Sequence, residues 1–175
     1  MQHVNIKLFA EQPYPTEIAA VIPVFHRWIQ QKSLPGVLID VADYAHVPSG
    51  PGVLLIAHEF DVGLDEAGGR LGLLYNRKLP SEESGPEALR TAYRFALDVA
   101  KRLEAEPEFA GQLRFRHDEL QVTLNDRLLY PNTGETAEVL REDFEVFHSE
   151  IFGSAPSSVE RNPDPRARFS ITARK

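Results

Sequence analysis

Residues 37–78, VLIDVADYAHVPSGPGVLLIAHEFDVGLDEAGGRLGLLYNRK, constrain the fold more than any other part of the chain. Apolar residues alternate with polar ones through three runs, and Gly, Pro and Asp cluster between the runs. Alternation with period two marks half-buried strands, and such clusters mark turns. The stretch is expected to form a three-stranded antiparallel meander, with strands at 37–47, 53–62 and 70–78 and turns at 48–52 and 65–69. Polar groups interrupt these strands at Asp40, Asp43, Tyr44, His46, His58, Glu59, Asp61 and Arg77, where a plain core has no need of them.

The rest of the chain reads as helices and strands that could pack on such a sheet. Val4, Ile6 and Leu8 alternate with Asn5 and Lys7, the pattern of a strand. Thr16 could cap a short helical stretch over 17–22. Pro23 suits the first turn of a helix running to about Lys32 and burying Val24, Phe25, Trp28 and Ile29. Ser84-Gly85-Pro86-Glu87 has the form of a helix start, and Leu89, Ala92, Tyr93, Ala96, Ala100 and Leu103 continue it as one apolar stripe over 86–105. Residues 113–116 and 120–125 suggest a hairpin around His117-Asp118. A last helix is expected over 134–152, with Leu140, Phe144, Phe147 and Ile151 inward and Gly153 as its stop. Residues 154–167 read as loop, and Phe169, Ile171 and Ala173 as a final strand. The fold class is therefore α+β: one domain over 1–175, a mostly antiparallel sheet containing the meander, and about three helices packed on it.

Composition narrows the function classes. The chain has 175 residues, no cysteine and a formal net charge of −7. Disulfides, thiolate metal sites and cysteine nucleophiles are excluded. An acidic chain without a Lys/Arg cluster is not expected to bind nucleic acid or an anionic membrane. No apolar run reaches the ~18 residues of a membrane span. The opening MQHVNIKLFAEQ lacks the charged start and long apolar stretch of a secretion signal, so a soluble cytoplasmic protein is expected.

The meander also suggests a site. With Val47 opposite Val53, Ala42 faces His58, and Asp40 and Tyr44 become its diagonal neighbours. With Leu64 opposite Gly69, Tyr75 faces His58 and Arg77 lies diagonal to it. Asp40, Tyr44, His58, Tyr75 and Arg77 would then share one face as a candidate ligand-binding set. His58 oriented by Asp40 could do acid–base work, and Arg77 could hold an anionic group. The same residues could equally form a satisfied polar network with no ligand at all. A slip of one residue in register would move one strand's side chains to the other face.

Other chemistry finds less support. His46, His58, Asp40 and Glu59 are metal-ligand types, but His46 and His58 would lie four residues apart along their strands, roughly 13 Å at 3.3 Å per residue. No metal and no cofactor is therefore expected. PSGPG at 48–52 lacks the pattern of a phosphate loop and precedes a strand, so a hairpin turn is the better reading. No GxSxG elbow occurs. Trp28 reads as core, with His26 and Arg27 at its boundary, and His148 reads as a boundary residue beside the Phe144/Phe147 stripe.

The segments IPVFHRWIQ (22–30), LIDVADYAHVPSGPGVLLIAHE (38–59), GRLGLLYNRK (69–78) and NDRLLYPNT (125–133) together resemble a family of small bacterial proteins with no assigned function. The resemblance covers most of the chain. It implies a compact bacterial cytosolic protein and carries over no site residue. The functional expectation is a non-catalytic domain that self-associates, as a homodimer, or binds a protein partner. The alternative is a small enzyme or small-molecule-binding protein using the polar face around His58.

Overall fold

The structure, a computed structural model, describes residues 1, 3–13, 17–47 and 50–175. Its elements in chain order are β1 (Val4–Ala10), α1 (Val21–Gln31), β2 (Leu38–Tyr44), β3 (Gly52–Ala57), β4 (Phe60–Asp65), β5 (Gly72–Arg77), α2 (Gly85–Glu104), β6 (Phe115–Leu124), α3 (Gly134–Phe152), β7 (Ser158–Arg161) and β8 (Phe169–Arg174). The strands form one eight-stranded sheet in the order β2-β3-β4-β5-β1-β6-β8-β7. Every neighbouring pair is antiparallel. The fold is α+β.

The helices follow the apolar stripes. α1 buries Val21, Val24, Phe25 and Trp28, and Lys32 ends it in the left-handed region. α2 buries Ala88, Leu89, Ala92, Ala96, Val99, Ala100 and Leu103. Ser84 occupies its N-cap position, but its side chain makes no cap bond. Pro86 near the start explains the helix entry instead, since its missing N–H costs nothing there. α3 starts where Thr133 Oγ1 accepts the Thr136 N–H and stops at Gly153, whose φ of 74° is left-handed. The cap expected at Thr16 and the Pro48-Ser49 part of the expected turn lie outside the described residues.

The meander has four strands, not three. The expected strand 53–62 breaks at His58-Glu59, and β3 and β4 pair as a hairpin with Ile56 opposite Asp61 and Val53 opposite Leu64. The physical reason is burial. The turn lets Val53, Leu55 and Ala57 share the helix-covered core with Phe60, Val62 and Leu64. The register at β2 differs too: Ala42 faces Leu54, not His58, and Asp40 faces Ile56. Residues 115–124 form one strand rather than a hairpin. The pairing of β1 with β6 shifts between Leu8 and Ala10, so His117 and Asp118 form an irregularity beside the strand's straight part. Residues 158–161, expected as loop, form the edge strand β7.

The helices cover one face of the sheet. α1 lies against β2 and β3, α2 against β1 and β5, and α3 packs on α2. Val4, Ile6 and Leu8 of β1 join this core. On the opposite face Asn5 and Lys7 are buried as well. Two glycines make that possible. At Gly72 an added Cβ would stand 2.9 Å from Lys7 Cε, so the Lys7 stem occupies the space a side chain would fill. At Gly63 it would stand 2.5 Å from Leu54 Cδ2. Side chains thus lie flat over bare backbone and shelter the second face.

Lys7 ends in a buried ion pair. Its Nζ donates to Asp65 Oδ2 at 2.6 Å and to the Ala67 carbonyl at 3.0 Å. Burial pushes the Lys7 ammonium below its ordinary range, and Asp65 only partly offsets it. Removing one partner strands the other charge in the interior, whereas an apolar pair of similar volume does not. Lys7→Ala is expected to cost about 3–5 kcal/mol in urea denaturation, and Lys7→Met with Asp65→Leu about 1 kcal/mol or less. Equal losses in the two variants would contradict this account of the pair.

Candidate functional site

The five polar residues expected together are not brought to one place. Asp40 and Tyr44 lie on β2, on the face that carries Leu54 and Ile56. Tyr75 and Arg77 lie on β5 opposite Val62 and Phe60, on the helix-covered face. His58 sits exposed in the turn between β3 and β4. The turn is the cause: two residues inserted between paired strands reverse the alternation that the expected continuous strand would have kept.

Three of these residues have local roles where they stand. Asp40 Oδ1 accepts the Val41 N–H at 2.8 Å, which occupies a donor on the sheet's edge strand. The ring of Tyr75 packs beside those of Phe60 and Phe95, at centroid distances of 6.0 and 4.9 Å. Burial pushes the Tyr75 phenol up, and its hydrogen bond with Arg77 opposes the shift. Arg77 donates to Glu83 Oε2 at 2.8 Å. Ser81 and Thr91 donate to the same carboxylate at 2.6 and 2.8 Å, which clasps the end of β5 to the start of α2. Among the described residues, no three His, Asp or Glu side chains are grouped so that they could hold a metal ion.

Two of the hollows among the described residues have room for a ligand. The larger, about 800 Å³, is open and lined by Arg70, Arg116, His117, Asp118 and Lys175 among others. Its guanidiniums are already matched. Arg70 forks onto the buried Glu119 at 2.9 and 2.7 Å, and Arg116 onto Asp118 at 2.9 Å twice. Arg70 also lies 3.6 Å over the ring of Phe9.

The second hollow is an apolar cleft of about 310 Å³ between α3 and the far end of the sheet. That volume is at the lower end of small-molecule sites. Its floor is Leu120 and Val122 of β6, Phe169, Ile171 and Ala173 of β8, and Val159 of β7. Its roof is Ala137, Phe144, Phe147 and His148 of α3, and Glu138, Arg141 and Glu145 stand at the mouth. The cleft exists because α3 leans on α2 rather than on these strands. Tyr93 of α2 meets Phe147 and Phe152 edge-on at 6.1 and 6.4 Å, and Arg90 pairs with Glu150 at 3.0 Å. Toward the sheet, α3 reaches down through Phe144, whose ring stacks on Phe169 at 6.3 Å. One end is tied shut. Asn132, just before α3, donates to the carbonyls of Asn162 and Asp164 at 3.0 and 2.7 Å and accepts from Arg161 at 2.8 Å.

His148 is the polar group of this cleft's interior. It is 2% exposed, so it belongs to the core and not to the helix boundary where the sequence placed it. Its Nδ1 lies 2.9 Å from the Ser154 carbonyl oxygen. A carbonyl can only accept, so Nδ1 carries a proton, and Nε2 is an acceptor when the ring is neutral. Nε2 is buried and has no partner among the described residues. Leaving such an acceptor unpaired costs about 1–3 kcal/mol. The stripe of Leu140, Phe144, Phe147 and Ile151 already turned this side of the helix inward. What the sequence did not reveal is that α3 is held off the strands beneath it.

Compared with protein-family models, with curated proteins and with solved structures, the chain matches none. That is consistent with the resemblance to an uncharacterised family and adds nothing to it. Among the described residues, no helix is long and apolar enough to cross a membrane.

The clasp at Glu83 yields a pH dependence. Burial pushes its carboxyl up, but the bonds from Ser81, Thr91 and Arg77 outweigh this and hold it at about 2 against the ordinary 4.5. Because the folded-state value is the lower one, the stabilisation is complete above the unfolded value and is lost as pH falls from 4.5 toward 2. At some 1.4 kcal/mol per pH unit, discounted for partial exposure, Glu83→Gln is expected to cost about 1–2 kcal/mol at pH 7. The loss should fade in thermal melts run near the acid end. A loss independent of pH would contradict the assignment.

Proposed function

We propose that this protein binds a small, largely apolar molecule in the cleft between α3 and strands β6, β8 and β7, without catalysing a reaction on it. The carrying observation is the cleft itself: a partly open volume of about 310 Å³ whose lining is mainly apolar, with charged residues at its mouth. A cavity in a small protein is destabilising unless something occupies it, because its walls lose their packing contacts. A few placed polar groups in an apolar hollow are the usual anatomy of a ligand site. The lack of a catalytic role is supported by what surrounds His148. Its ring is oriented by a backbone carbonyl, it packs 4.5 Å from the ring of Phe152, and no carboxylate is bonded to it.

Self-association is the second reading, and one observation favours it. Val37 and Ile39, at the β2 edge of the sheet, are 61% and 57% exposed. The same edge is blunted in two ways. The pairing of β2 with β3 slips between Leu38 and Asp40, and Asp40 covers the Val41 N–H. Bulges and inturned charges are common defences against edge-to-edge pairing. A dimer would therefore meet through these side chains rather than through a shared ladder.

Ala137 offers a direct test, since it lines the cleft from α3 and is only half-buried. Ala137→Trp should fill the cleft and weaken binding of the neutral fluorescent apolar probe N-phenyl-1-naphthylamine about tenfold or more, with a change in stability of about 1 kcal/mol or less. Unchanged probe binding would contradict the proposal.

A further inference from the structure

We infer that the protein pairs with a second copy of itself, the basic apolar turn at Leu128-Leu129 of one copy docking on the acidic outer face of α3 in the other. This surface lies toward the opposite end of the sheet from the β2 edge, and pairing there does not depend on what the cleft holds. Its first half is the turn between β6 and α3. Leu128 is 91% exposed and Leu129 55%, so two adjacent leucines form an apolar patch in solvent. The turn is fixed: Asp126 Oδ1 accepts the Leu128 and Leu129 N–H groups at 3.0 Å each, and the Asp126 carbonyl accepts that of Tyr130 at 2.8 Å. A surface already ordered gives up little conformational freedom on binding. Residues 162–168 are tied to this segment, Asn132 donating to the carbonyls of Asn162 and Asp164, and Arg168 to Asn125 Oδ1 at 3.2 Å. Arg127, Arg166 and Arg168 are all exposed here. The two carboxylates of these segments, Asp126 and Asp164, accept main-chain N–H groups. The leucines are thus presented from a basic end of a chain whose net charge is −7.

The complement is on α3. Val139 is 75% exposed and Val146 41%, and at seven residues apart they share one face of the helix. Neither lines the cleft. Glu135 and Glu142 stand one turn from Val139 on that face, and both are exposed. α3 as a whole holds six acids, Glu135, Glu138, Glu142, Asp143, Glu145 and Glu150, against one arginine, Arg141. Acids three and four residues apart on one helix repel each other, which destabilises the helix until cations face them. Valines with an acidic rim match leucines with a basic rim in apolar character and in sign. Contact of turn with turn, or of helix with helix, would set like charges together, so the match requires turn on helix. Within one copy the turn leads directly into α3 and Leu128 still stands in solvent, so the facing helix must come from a second copy. Every copy carries both halves, and a twofold pair makes the contact twice.

Sedimentation velocity on the full chain, from micromolar to submillimolar concentration at low salt, is expected to show a concentration-dependent dimer. Its dissociation constant should rise about tenfold or more in molar salt, which screens the charged rims. Leu128→Glu sets a carboxylate against the acidic face, and Val139→Glu sets one against the leucines. Both positions are exposed, so the fold is kept, and each substitution should weaken self-association about tenfold or more. Mixing the two variants separates turn-on-helix contact from every other arrangement. The Leu128→Glu copy keeps its α3 face and the Val139→Glu copy keeps its turn. An equimolar mixture should therefore form a mixed dimer that neither variant forms alone, weaker than the wild-type dimer because the contact is made once. A mixture that stays monomeric rules out turn-on-helix contact and the inference with it. Association that survives either substitution runs through another surface, such as the β2 edge, and overturns the inference. So does a wild-type chain that is monomeric at every concentration.

Discussion

Lys7 and Asp65 meet at 2.6 Å on the sheet face that no helix covers, and the arrangement of the sheet follows from how that pair is sheltered. β1 lies inside the sheet, between β5 and β6. Its odd-numbered side chains would face water in a simple two-layer protein, yet all seven of its residues are buried. The lysine stem lies over Gly72, and Leu54 lies over Gly63. A larger residue at either glycine would lift its neighbour off the backbone and admit water to the ion pair. The pair contributes little net energy as long as it is whole, because dehydrating two ions offsets most of their attraction. It does penalise any pairing that separates the two, and so favours one register of β1 and β5 against β4.

On the helix-covered face the packing is uneven, and the cleft comes from that unevenness. α1 and α2 sit directly on strands, with Phe60, Tyr75 and Phe95 packed ring against ring. α3 spends its aromatic contacts mainly on α2. The strands at that end of the sheet are roofed at a distance, touched by Phe144 and tied at one end through Asn132 and Arg161. A helix that sank onto β8 would close the cleft. The observed geometry keeps open a space that is mainly apolar inside, with charged residues at its mouth.

Much of the architecture was legible in the sequence, and the failures have physical causes. The three helices appeared at their stripes, and Gly153 ended the last one as its left-handed φ requires. The split at His58-Glu59 was hidden because two-residue hairpin turns usually announce themselves with Gly or Asn, and this turn has neither. Neither of its residues adopts a positive φ. That one hidden turn added a strand, reversed the faces downstream and dispersed the expected set of Asp40, Tyr44, His58, Tyr75 and Arg77. The burial of Lys7 was not legible either, since its carboxylate partner Asp65 lies two strands away in the sheet. His148 was visible as a neighbour of the Phe144/Phe147 stripe. Its importance depends on the distance between α3 and β8, which is a tertiary quantity that no local pattern encodes.

The central claim is that the space under α3 is a ligand site rather than a packing defect. Methyl-resolved NMR of the intact protein during titration with a small neutral apolar compound such as p-xylene tests it most directly. The account predicts saturable shifts confined to Leu120, Val122, Ala137, Ile171 and Ala173, which line the cleft, with Val53 and Leu55 at the other end of the sheet unmoved. Shifts that fail to saturate, or that spread evenly over both ends of the sheet, would contradict it.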